Sequence, residues 1–78
     1  MDNPCNLYKL QYKKANETLD ILIIQKAEIN FKLIAKPASA SLNKALRTVN
    51  MDIRITENEI EHAEYCINRC ESEFNPTI

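Results

Sequence analysis

The sequence contains no glycine and no tryptophan in 78 residues. Tight β-hairpin turns and many sheet bulges need a residue that accepts positive φ, and glycine supplies it. Its absence argues against a β-rich fold and excludes every glycine-rich phosphate loop. Long hydrophobic runs are also missing. The longest, Ile21 to Ile24, is far too short to span a bilayer. The opening Met-Asp-Asn-Pro lacks the basic stretch and apolar run of a signal peptide. Charge of one sign is lacking too: ten basic against eleven acidic side chains leave a net charge of −1, which gives no general attraction for nucleic acid. Cysteine is sparse and odd in number, with Cys5, Cys66 and Cys70. An odd count fits reduced thiols better than a secreted disulfide framework, and a cytoplasmic location is expected.

What is present has a helical period. The breakers are few and well placed. Asn3-Pro4 reads as a cap followed by proline in the first turn, Lys36-Pro37-Ala38-Ser39-Ala40-Ser41 as a turn with Ser39 or Ser41 capping the second helix, and Asn75-Pro76 as a stop. They bracket one helix over about residues 4–35 and a second over about 40–74, within a single domain spanning 1–78.

In the second segment Leu42, Leu46, Val49, Ile53, Thr56, Ile60, Ala63, Ile67, Cys70 and Phe74 recur in four-three alternation, with Thr56 the polar exception. In the first, Tyr8, Tyr12, Ala15, Leu19, Leu22, Lys26, Ile29 and Leu33 do the same, with Lys26 the exception. Two such stripes are the pattern of a coiled-coil pair. Folded back at the turn near residues 36–40, they align in one register. Leu33 faces Leu42, Ile29 faces Leu46, Leu22 faces Ile53, Ala15 faces Ile60 and Tyr8 faces Ile67. The fold class expected is all-α, a two-helix antiparallel hairpin. Charge favours the same pairing. Residues 5–36 hold six lysines against three acids, and residues 39–74 hold four basic against seven acidic side chains.

The same register sets Cys5 opposite Cys70. Either the two form a disulfide at the open end or they fill the last layer as small apolar side chains. The cytoplasmic reading favours the second. His62, Cys66 and Cys70 share one helix at spacings of four. Zinc needs four ligands, and the facing helix offers only Cys5, so no metal is expected and His62 reads as a surface residue. Lys26 on the core stripe reads as a register-fixing residue whose stem packs while its ammonium reaches water. No nucleophile–base pair and no facing carboxylates stand out. No catalytic role and no cofactor are expected.

A second apolar stripe points to function. With Leu22, Ile29 and Leu33 turned to the partner helix, Ile24, Ala27, Phe31 and Ile34 fall on the outer side of helix one, with Ile21 at their flank, where a solvated helix carries charge. Ile23 flanks them, and Met51 and Ile55 lie outside the seam of helix two. Such a patch marks a protein interface, for another protein or for a second copy in a four-helix bundle.

The turn-broken hairpin, its outward stripe and the run Glu59-Ile60-Glu61-His62-Ala63-Glu64-Tyr65-Cys66-Ile67-Asn68 resemble the YscE/PscE/SsaE family, the small co-chaperones of type III secretion needle subunits. The resemblance covers most of the chain in architecture and about ten residues in motif. It implies a protein that, with a TPR-like chaperone, holds a needle subunit unpolymerised in the cytoplasm until export. It also implies a virulence role, with partner contacts at Ile21, Ile24, Phe31 and Ile34. The Pro37 turn and the three cysteines depart from the family pattern. Needle subunits themselves are an alternative, since their turns resemble Lys36-Pro37-Ala38-Ser39. A small dimeric regulator built as a four-helix bundle is another.

Overall fold

The computed structural model describes residues 5–74, as two helices and the turn between them. Helix α1 spans Cys5–Ala35 and α2 spans Ala40–Phe74. They pack side by side as an all-α hairpin, a rod of 58 × 17 × 17 Å. The expected Asn3-Pro4 cap and Asn75-Pro76 stop lie outside the described residues.

The turn shows why no glycine is needed. The Lys36 amide still donates to the Lys32 carbonyl at 3.1 Å, and the Ser39 amide donates to Lys36 O at 3.1 Å. That closes a four-residue turn with Pro37 at its second position, where the fixed φ of proline fits. No described residue takes a positive φ. Ser39, not Ser41, is the cap: its Oγ accepts from the Leu42 amide at 3.3 Å, and its carbonyl accepts the first helical bond, from the Asn43 amide at 3.0 Å. The Asn43 side chain ties the turn down further. Its Nδ2 donates to Ser39 O at 2.8 Å and to Pro37 O at 3.2 Å.

Burial follows the seam. Cys5, Ala15, Leu22, Val49, Thr56, Ile60, Ala63 and Cys70 are buried. Tyr8, Tyr12, Leu19, Ile29, Leu33, Leu42, Leu46, Ile53 and Ile67 are half-buried, as is Lys26. Every seam position whose side chain is described is therefore at least partly covered, whereas nearly all positions outside the seam are exposed. Thr56 tolerates its place because its Oγ1 donates to the Asp52 carbonyl at 2.7 Å, which satisfies the buried hydroxyl.

The open end corrects one expectation. Cys5 and Cys70 are not reduced side chains filling a layer; they form a disulfide, with Cα atoms 5.7 Å apart. Antiparallel packing in the expected register brings the two Cα atoms within bridging distance, and both cysteines are buried. Cys66 alone is a free thiol. The charge asymmetry of the two halves contributes little. Among the described residues one ion pair crosses between the helices, Lys9 Nζ to Glu71 Oε2 at 3.1 Å, and both side chains are close to half exposed. Such a pair is worth roughly 0.2–1 kcal/mol.

Candidate protein-binding face

The outer face of α1 is where the structure departs most from an ordinary solvated helix. Phe31 is 76% exposed and Ile34 81%, while Ile21 and Ile24 lie between 57% and 59%. Ala27 is exposed between them. The cause is geometric. A two-helix hairpin buries one stripe per helix, and on α1 that stripe is taken by Leu22, Ile29 and Leu33. Side chains on the far side of the same helix have nothing in the hairpin to pack against. The structure therefore brings all five residues singled out from the sequence onto one exposed strip, nearly four turns long.

Two further members of the face lie beyond the stripe expected from the sequence. Leu7 is 60% exposed and Leu10 49%. They precede Ile21 and Ile24 by two heptads each, so they occupy the same helical positions near the open end. The heptad spacing was the available signal. Between the two apolar groups the face is charged, with Lys13, Lys14, Glu17 and Asp20. Met51 and Ile55 on α2 are exposed as well, at 64% and 50%, but they stand apart from the α1 strip on the other helix.

The polar features are local. His62 Nε2 and Cys66 Sγ are 3.6 Å apart along α2, and the next cysteine on that helix, Cys70, has its sulfur bonded to Cys5. Among the described residues no group of three histidine, cysteine or acidic side chains is placed to hold a metal ion. Arg69 bridges Tyr65 Oη at 3.4 Å and Glu73 Oε1 at 3.5 Å, which are single-turn surface contacts. A groove of about 630 Å³ opens on one flank, over the small seam residues Ala15 and Ala63. Lys14, Glu59 and His62 stand around it. Among the described residues no helix is long and apolar enough to cross a membrane.

Comparison with known proteins adds no relative: no family model, curated protein or solved structure matches the chain.

Proposed function

We propose that this chain is a small helical protein-binding module that works through the outer face of α1. The observation that carries the reading is the strip Ile21, Ile24, Ala27, Phe31 and Ile34, all five exposed outside the seam. Covering one large apolar side chain is worth roughly 1.5–3 kcal/mol. At the upper end of that range four of them supply about 12 kcal/mol, which leaves about 8 kcal/mol, or micromolar binding, when the association cost is near the lower end of about 4–15 kcal/mol. The resemblance to the needle co-chaperones gives the module a specific role. A TPR-like chaperone would receive this face, and the pair would keep a needle subunit soluble in the cytoplasm before export.

The Cys5–Cys70 bridge favours a second reading. Disulfides persist in oxidising compartments and are rare in the cytosol. A chain stapled at its open end suits a protein that is itself exported, as a needle subunit is.

Affinity purification of the wild-type chain beside Ile24→Glu/Phe31→Glu, with mass spectrometry and circular dichroism, separates these readings. The first expects a TPR-type helical protein with the wild type and its loss from the equally helical double variant. Equal recovery with both removes the outer face as the interface. Recovery of the chain itself outside the cell favours the second reading.

A further inference from the structure

We propose that the turn end of the rod docks on an anionic lipid surface, where Phe31 and Ile34 enter the headgroup layer among the cations around them. This contact is additional to the protein interface read above and does not depend on it. The two share Phe31 and Ile34 alone.

Charge varies along the rod as well as between its helices. In the register of the seam, residues 5–20 lie beside 55–73, and residues 21–35 beside 40–54. The turn half, residues 21–54, holds six basic against two acidic side chains. The open half, residues 5–20 and 55–73, holds four basic against eight acidic ones. A rod 58 Å long therefore has a positive end and a negative end. Its ends are several Debye lengths apart, each about 8 Å at physiological salt, so a partner at the turn meets the positive charge almost alone. From residue 29 to residue 51 there is no acidic residue, and Lys32, Lys36, Lys44 and Arg47 are all exposed.

Those cations surround the end and do not share one face. Lys32 is on α1, Lys36 follows it in the turn, and Lys44 and Arg47 are on α2. Lys44 falls on the side of α2 away from the seam and Phe31 on the side of α1 away from it, so they look out in opposite directions. A peptide meets one side of a rod 17 Å across; a lipid leaflet meets the whole end at once. Duplex nucleic acid is densely anionic too, but it has no apolar layer to take Phe31 and Ile34. These are the two most exposed large apolar side chains among the described residues. A bilayer interface supplies anionic headgroups and, below them, acyl chains.

Helix geometry fits the depth. Helix α1 ends at Ala35, and at 1.5 Å per residue Phe31 lies about 6 Å back from that end, with Ile34 closer still. Interfacial apolar groups enter about 5–10 Å into a leaflet. The acidic open end is repelled by the same surface, so the rod stands with its turn down. The contact is reversible and sensitive to salt, since most of its strength is charge.

Flotation of the full oxidised chain with vesicles of phosphatidylcholine and phosphatidylserine, at a ratio of about 2:1, beside phosphatidylcholine alone, tests this. The chain is expected to float with the anionic vesicles only and to be released as salt rises. A cation near such a surface is worth roughly fivefold in partition, so Lys36→Gln/Lys44→Gln should weaken binding roughly 25-fold. Both side chains are exposed and neither belongs to the outer strip of α1, so helicity and protein partners should be retained. Because the chain has no tryptophan, Phe31→Trp reports on the turn end and Tyr65→Trp on the open end. With brominated lipid in the anionic vesicles, only Phe31→Trp should be quenched. Failure to bind those vesicles overturns the proposal. So does binding indifferent to Lys36→Gln/Lys44→Gln, or equal quenching of both reporters, which would lay the rod flat. Matching affinity for duplex DNA or polyglutamate at the same salt also overturns it, because charge alone would then be recognised. A wild type that ignores vesicles but still loses a copurifying protein on Ile24→Glu/Phe31→Glu sinks the lipid contact alone. Vesicle binding as expected, with protein partners indifferent to those substitutions, sinks the proposed function alone.

Discussion

Reducing the Cys5–Cys70 bridge should remove a large share of the stability of this chain. The cross-link joins residues separated by 65 positions. In the chain-entropy account, closing a loop of that length takes roughly 14 cal/mol/K from the unfolded ensemble, or about 4 kcal/mol at 25 °C. For a domain of this size each kcal/mol moves the midpoint by about 4–8 °C, so the melting temperature should fall by roughly 15–35 °C. The folded hairpin has little to set against this. Beside the bridge, the open end is closed by half-buried Tyr8 and Ile67 and by the partly exposed Lys9–Glu71 pair. The measurement is helicity against temperature for the oxidised chain, the reduced chain and Cys5→Ser/Cys70→Ser, with Cys66→Ser as control. The reduced chain and the double variant should melt together, far below the other two. If all four melt within a few degrees, or if Cys66→Ser alone lowers the midpoint as much as the double variant, the bridge does not hold this fold in the way argued.

The seam and the surface should respond very differently to truncation. Ile60 is 9% exposed in the middle of α2, and Ile60→Ala should cost ~2–5 kcal/mol. Glu61→Ala, on its exposed neighbour, should cost less than about 0.5 kcal/mol, and urea denaturation of both variants decides the core assignment. Nucleic acid should bind weakly at most, since the chain is slightly acidic. Micromolar affinity for duplex DNA at physiological salt, falling steeply as salt is raised, would contradict that.

Much of the architecture was legible because the signals agreed. Pro37 interrupted the helical pattern, Ser39 or Ser41 stood ready to cap what followed, and the two stripes aligned in a single register from Leu33–Leu42 to Tyr8–Ile67. The polar member at Thr56 did not break the pattern, because a threonine can return its hydroxyl to the preceding turn. Other features were not legible, for separate reasons. The register placed Cys5 opposite Cys70, but whether facing thiols are joined depends on the compartment, and counting cysteines does not reveal that. The opposite charges of the two halves favoured the pairing of the helices without naming which side chains would meet. Most of those side chains sit on outward positions, and among the described residues only Lys9 and Glu71 meet across the helices. Leu7 and Leu10 did not stand out because the charged stretch at Lys13, Lys14, Glu17 and Asp20 separates them from the rest of their face. The identity of what covers the face is not a property of periodicity at all.

The position of the bridge also determines how the rod bears load. Cys5 and Cys70 lie at the same end, so tension applied there to the two strands would otherwise peel the hairpin open one layer at a time. With the sulfurs joined, the pull passes through a covalent link between neighbouring points and never reaches the seam. The helices stay slack while the staple carries the force. A bundle that on its own would unzip under a modest tug keeps its seam closed, because the two ends pulled apart are already joined.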